Sequence, residues 1–222
     1  MLKLKSRLNM VARMVRKGSR LADIGTDHAY LPTALILDGT IESAIAADLR
    51  KGPLENAEAT VRSYGIADKV QLRLSDGLKA ISPEEADDIA IAGMGGNLIS
   101  DILDCTNWIQ KENVRLILQP QSHEELVRRW LWNKGFEIIA EDSCFEDGKV
   151  YICIVAEYSG RVQDYTEFQA LVGSLWGRND DASVAYCEKK LKRIRVRLKA
   201  LKESDPENEE ISQLEEILNE AK

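Results

Sequence analysis

Histidine and cysteine are scarce in this 222-residue chain: His28 and His123 are its only histidines, and Cys105, Cys144, Cys153 and Cys187 its only cysteines. No two cysteines form a Cys-x-x-Cys pair and no histidine neighbours one, which argues against a bound metal and for reduced thiols in a cytoplasmic protein. No apolar run reaches the roughly 18 residues that a membrane span needs. Nor does a short apolar stretch lead into a small-residue cleavage site of the kind that directs secretion. The Gly-x-Gly-x-x-Gly pattern is also missing, and with it the glycine cradle that holds a dinucleotide pyrophosphate. The net charge of −7 argues against indiscriminate nucleic-acid binding but not against a local basic face.

With 44% apolar residues the chain can bury a sizeable core. Its first 17 residues carry six Lys/Arg and no acid, superficially like a transit leader, but Leu4, Leu8, Val11 and Val15 make a helical stripe that runs to Gly18. Short apolar runs then alternate with helical patterns, the signature of a parallel sheet covered on both faces. Strands are expected over Arg20–Ile24, Ala44–Asp48, Val70–Leu74, Ile89–Ala92 and Val114–Leu118, and helices over Ala29–Asp38, Leu54–Tyr64, Asn97–Trp108 and Glu124–Lys134. Phe136–Ala140 and Val150–Glu157 break the alternation. The Glu146-Asp147-Gly148-Lys149 link is turn chemistry, too short for a crossover helix, so these two strands pair antiparallel. A parallel sheet closed by such a hairpin resembles that of the S-adenosylmethionine-dependent methyltransferases of class I, a Rossmann-like α/β fold.

From Gly160 the character changes, and the chain divides into an α/β domain over 1–160 and a helical one over 161–222. Glu167–Trp176 reads as a short helix and Asp181–Lys202 as a long one, with Leu191, Ile194, Leu198 and Leu201 at steps of 3, 4 and 3. Ser204-Asp205-Pro206-Glu207 interrupts it and offers Ser or Asp as the cap of a second helix, on which Ile211, Leu214, Leu218 and Ala221 repeat the spacing. Two such seams make an antiparallel helical hairpin of coiled-coil type. Residues 189–202 hold eight Lys/Arg and no acid, and 203–222 eight acids and one Lys. Either the arms pair their charges across the seam, or part of the basic face is left to grip phosphates.

The chemistry concentrates around Leu21-Ala22-Asp23-Ile24-Gly25-Thr26-Asp27-His28-Ala29-Tyr30-Leu31-Pro32, where a buried strand hands over to a helix around a single glycine. A ligand with an ammonium and a carboxylate would meet an acid such as Asp23 and the amides of the loop and helix start. Asp48, which lies 23 residues beyond Gly25 at the end of the second strand, can accept both hydroxyls of a ribose. Ser75-Asp76-Gly77 places a third acid where an adenine amino group would lie. Three acids at successive carboxyl ends of parallel strands point to one crevice. The fourth strand ends in Gly93-Met94-Gly95-Gly96, which permits close backbone approach. It carries no Asp-Pro-Pro-Tyr or Asn-Pro-Pro-Tyr, the usual grip on an exocyclic amine, whereas a ring nitrogen with its own lone pair needs none.

Ala22–Pro32, Ala47-Asp48-Leu49-Arg50-Lys51-Gly52-Pro53-Leu54, Ser75-Asp76-Gly77, Ile91–Gly96 and Leu118-Gln119-Pro120 together resemble the TrmK family of bacterial tRNA adenine-N1 methyltransferases, which act on adenine twenty-two of the D-arm. The likeness runs by motif over residues 1 to about 160; the helical hairpin is similar in type to that family's coiled-coil domain. It implies an S-adenosyl-L-methionine pocket from Asp23, Gly25, Thr26, Asp27, His28, Asp48, Leu49, Ser75, Asp76, Gly77, Gly93, Met94 and Gly95. Adenine N1 must be held in line with the activated methyl, so the target base is splayed from the RNA and stacked, with Tyr30 as the candidate platform. Asp27 would stabilise the cationic product and His28 accept its amino proton; alternatively Asp27 caps the helix and His28 only touches cofactor. His123 and the Arg128-Arg129-Trp130-Trp132 run read as a capping residue and a packed face. The expected partner is tRNA, gripped by the Lys/Arg of residues 3–17 and 189–202 of a monomer, with neither metal nor membrane. A small-molecule methyltransferase and a non-catalytic RNA-binding protein are the alternatives.

Overall fold

The structure, a computed structural model, describes residues 2–222. Its elements are α1 (Ser6–Ala12), β1 (Leu21–Ile24), α2 (Tyr30–Leu37), β2 (Ala44–Asp48), α3 (Lys51–Ser63), β3 (Val70–Leu74), β4 (Asp88–Met94), α4 (Gly96–Asp104), β5 (Arg115–Pro120), α5 (Glu124–Asn133), β6 (Phe136–Glu146), β7 (Lys149–Tyr158), α6 (Glu167–Val172), α7 (Asp181–Ser204) and α8 (Glu210–Glu220). The strands form a seven-stranded sheet in the order β3-β2-β1-β4-β5-β7-β6. β1 to β5 run parallel, and β7 inserts antiparallel between β5 and β6, as the short Glu146–Lys149 link requires.

Alternation of side chains along each strand sends them to two apolar layers. Ala22, Ile24, Ile89, Ile91, Leu116 and Leu118 pack with Ile99 and Leu103 of α4 and Val127 and Leu131 of α5. Leu21, Ala46, Ala90 and Ile117 face Met10 and Val11 of α1, Leu31 and Leu35 of α2, and Ala57 and Val61 of α3. Each fully buried leucine-sized side chain contributes about 1.5–3 kcal/mol, so the sheet is covered on both faces and its loop edges are left as the free surface. The first layer continues through Phe168, Val172, Tyr186, Leu191, Leu214 and Ile217 of the C-terminal helices.

Several element ends differ from the sequence reading. The N-terminal helix stops at Ala12, well short of Gly18, because the Arg16 amide donates to buried Asp88 Oδ2 (2.7 Å) while its guanidinium pairs with Oδ1 (2.6 Å). The Glu167–Trp176 helix breaks after Val172 at Gly173, whose φ is +62°. A Cβ there would lie 2.1 Å from Glu141 Oε2 and 2.5 Å from Arg128 Nε, so the break makes room for a buried ion pair. The helix expected over Asn97–Trp108 ends at Asp104 and resumes as one 3₁₀ turn over Asn107–Ile109. β6 runs on to Glu146, bulged after Ile138, because β7 offers it a partner along that whole length. α8 starts at Glu210 rather than after Ser204-Asp205: Pro206 keeps Asp205 out of the helical conformation, and Asn208 Oδ1 accepts the Glu210 amide instead (3.0 Å).

α7 and α8 do form an antiparallel hairpin. Arg197 pairs with Glu210 (2.8 Å) and Lys202 with Glu215 (2.5 Å) across it. Lys190 turns the other way, to Glu124 and Glu125 of α5 (2.6 and 2.8 Å). Lys189, Lys192, Arg193 and Arg195 are exposed and make no ion pair among the described residues. Charge pairing across the seam thus accounts for some cations of α7 and leaves these four unpaired.

Candidate functional site

Strand order reverses between β1 and β4, and their outgoing loops leave in opposite directions at the carboxyl edge, which opens a crevice there. Gly25 adopts a φ of +78°, and its amide and that of Thr26 both donate to Ala47 O of β2 (2.8 and 3.0 Å). A Cβ on Gly25 would meet Met94 Cε at 2.0 Å, so the end of the Met94 side chain fills the space that a side chain here would take. Thr26 Oγ1 accepts the amide of Ala29 (3.1 Å), which sits in the left-handed region and starts α2.

A cleft of about 760 Å³ opens beside these loops, with Asp23 at its wall and His28, Tyr30, Gly93 and Gln121 around it. The N-terminal segment around Arg7 closes another side. Asp23 is buried, and no cation stands within ion-pair distance of it among the described residues. Desolvation pushes its carboxyl up to about 6 against the opposing effect of a hydrogen bond from Thr26. An acid held so can ionise at neutral pH most favourably when a ligand ammonium approaches it. Near the mouth, His28 Nε2 lies 3.3 Å from Asp27 Oδ2, and the His28 ring stacks on Tyr30 with centroids 4.9 Å apart and 8° between planes. Tyr30 remains 41% exposed, an aromatic face offered to the cleft.

Asp23, Gly25, Thr26, Asp27, His28, Tyr30 and Gly93 therefore share one hollow. The other residues singled out in the sequence lie along the same carboxyl edge but outside the walls of this cleft. Asp48 Oδ1 accepts the Arg50 amide (2.8 Å), and Leu49 is 64% exposed. The Ser75 amide donates to Asp48 O (2.9 Å) and its hydroxyl to Gly77 O (2.7 Å), which makes a tight turn in which Gly77 packs against Ile102. Asp76 is exposed and turned to Lys79 at 2.5 Å. Met94 lies against Gly25, and Gly95 precedes α4 as its cap. Of the three aspartates only Asp23 faces the cleft as the chain stands here.

Sequence reasoning assigned no role to Gln119, Gln121 or Tyr64, although Gln119 stood in a quoted motif, and it expected Arg7 among the cations that grip tRNA, whereas Arg7 is engaged within the fold. Gln119 is fully buried; its Oε1 accepts from Arg7 Nη1 (2.9 Å) and from the Gly93 amide (3.1 Å), and its Nε2 donates to Pro120 O (2.9 Å). Arg7 also gives its backbone N–H to Glu146 Oε2 (2.8 Å) and lies over Tyr151. This network fastens α1 to the β4 turn. No local pattern could show it, since the residues are 112 positions apart in the chain. His123 sits at the N-cap of α5 in the left-handed region, 3.6 Å from Glu125.

The family model described as a methyltransferase domain matches residues 4–154. The tRNA (adenine(22)-N(1))-methyltransferase of Bacillus subtilis is 40% identical over 176 residues, 79% of this chain and 74% of that protein. The crystal structure of the B. subtilis m1A22 tRNA methyltransferase TrmK superposes with a TM-score of 0.86 at 33% identity, over 100% of this chain and 97% of the other. A Streptococcus pneumoniae structure in complex with S-adenosyl-L-methionine gives 0.83 at 35% identity, over 97% and 100% of the two chains. With the fold matched from end to end and the loops of the switch point in place, the chain belongs to the TrmK family of methyltransferases.

Proposed function

We propose that this chain transfers the methyl group of S-adenosyl-L-methionine to N1 of adenine 22 in tRNA, in the cytoplasm. The observation that carries the reading is the 40% identity to the B. subtilis enzyme of that activity. The cleft fits the cofactor: a buried carboxylate without a cation meets an ammonium group, and a glycine turn with positive φ admits a ligand close to the backbone. Asp23 takes the ammonium, and the loop over Gly25, Thr26 and the start of α2 supplies amides. Asp48 and Leu49 stand at the next strand end for the ribose. Ser75, Asp76 and Gly77 serve the adenine amino group, Asp76 exchanging Lys79 for it. Gly93, Met94 and Gly95 complete the wall.

When bound, the cofactor supplies an electrophilic methyl on a sulfonium, so positioning carries most of the rate. Tyr30, braced by His28, offers the face on which an extruded adenine stacks. Asp27 stabilises the positive charge that spreads over the purine as N1 is alkylated. With Nε2 of His28 facing Asp27, Nδ1 is left as its proton-accepting atom for the amino proton. The helical region over 161–222 presents Lys189, Lys192, Arg193 and Arg195 to the RNA, a feature a small-molecule enzyme does not need. Incubating the protein with labelled cofactor and bulk tRNA, then mapping the methylated nucleoside, is expected to yield 1-methyladenine at position 22. Label at any other nucleoside, or none, overturns the reading.

A further inference from the structure

Two glutamines close β5, and they are in opposite conditions. Gln119 is buried and spends its carbonyl and amide on Arg7, Gly93 and Pro120. Gln121 is exposed, lines the cleft, and its side-chain amide makes no hydrogen bond among the described residues; its Nε2 stands 3.6 Å from where a Gly93 Cβ would be. The backbone beneath it is pinned. The Gln121 amide donates to Met94 O (2.8 Å) and the Gly96 amide to Ser122 O (2.8 Å), and Gly96 lies so close that a Cβ would be 2.3 Å from His123 O. A side chain with both a donor and an acceptor unused is thus held on a rigid double loop, in the same cleft as Asp27, His28 and Tyr30.

We infer that Gln121 determines the specificity for adenine by reading its amino edge. The inference rests on the proposed function. Oε1 accepts from the N6 amino group while Nε2 donates to N7, the pairing that suits an amide to adenine. That contact leaves N1 and its lone pair free for alkylation. Guanine offers acceptors at both O6 and N7, so Oε1 would face an oxygen, and its N1 carries a proton. As the methyl is transferred, positive charge spreads over N1, C6 and N6, and the N6–H becomes a stronger donor. The bond to Oε1 therefore tightens toward the transition state, which is where binding accelerates a reaction. The same β4 turn that lacks the Asn-Pro-Pro-Tyr grip is then served from β5, by a side chain that holds the amine without making it the nucleophile.

The test combines the Gln121→Ala variant with tRNA carrying 7-deazaadenine at position 22. With wild-type protein the missing N7 acceptor should lower kcat/KM by roughly tenfold, and Gln121→Ala should lower it by roughly tenfold or more on natural tRNA. The two losses should not add: the variant should treat 7-deazaadenine and adenine alike. Titration with S-adenosyl-L-methionine should give the wild-type affinity, separating base reading from cofactor binding or misfolding, and Gln121→Asn should recover part of the lost rate. Full additivity of the two losses, or an unimpaired Gln121→Ala protein, overturns the inference. Absence of any methyl transfer to natural tRNA by the wild-type protein is a different result, and counts against the proposed function itself.

Discussion

Two buried charged sites differ in one respect: one already holds its counter-ion and the other has none. Near the C-terminal helices, Arg128 and Glu141 are both inaccessible; Arg128 Nε meets Glu141 Oε1 at 2.8 Å, and Nη1 donates to Ala170 O and to the Tyr186 hydroxyl. Glu141 Oε2 takes the Ser174 amide and hydroxyl (2.6 and 3.0 Å), and Gly173 stands where any side chain would collide with the pair. At the cleft, Asp23 is equally withdrawn from water yet has no cation. A buried charge with its partners in place joins segments of a fold, whereas one without a partner keeps a binding free energy in reserve for a ligand.

The largest effect should follow from opening the paired site. Arg128→Met leaves Glu141 buried and alone, and is expected to lower the unfolding free energy by about 3–5 kcal/mol. Arg128→Met with Glu141→Leu should regain most of that loss. Urea melts of the three proteins decide it, and a single variant as stable as wild type would mean that the pair joins nothing.

Asp23→Asn should do the opposite. The folded-state value near 6 lies above the unfolded value of 3.8, so the ligand-free protein carries a penalty that is absent below about pH 4, grows as pH rises, and is complete above about pH 6. Asparagine removes the penalty, so stability at pH 7 should hold or rise, by up to about 3 kcal/mol, while cofactor affinity falls at least about tenfold. Wild-type affinity should also strengthen from pH 5 to pH 7, and the variant's should not. Calorimetric titration across that range checks both, and a destabilised variant with intact affinity would make Asp23 a structural residue.

The same contrast recurs at smaller scale on α7. Replacing Lys189, Lys192, Arg193 and Arg195 by Ala should weaken tRNA binding and make the plot of log affinity against log salt shallower by about 3. Arg197→Ala, which removes a cation already paired with Glu210 at the exposed surface, should leave both stability and the salt slope nearly as they were. Equal slopes for the quadruple variant and the wild type would place the RNA elsewhere.

Much of this was legible in the chain itself. The five parallel strands, four of them followed by a helix, the Glu146–Lys149 hairpin and the long α7 follow from periodicity, which is a local property. The Gly25 turn could be read from an apolar strand meeting one glycine, because the need for positive φ is written in the residue type. Helix ends were less legible. α1 stops early because of Asp88, and α6 because of Glu141, residues far away in sequence. Asp76 shows the limit on the site: its place at a strand end was visible, but its present choice of Lys79 over the cleft was not.

By itself the sequence determined where the loops of the carboxyl edge fall and which residue types stand on them, since alternation, turn chemistry and backbone sterics act over a few neighbouring residues. Tertiary structure alone decided which polar groups are already satisfied. Gln119 and Gln121, two residues apart and identical in chemistry, differ because Arg7 reaches the first from 112 positions away and nothing reaches the second. Satisfaction of a hydrogen-bonding group depends on what the fold brings within about 3 Å of it, and no spacing along the chain records that.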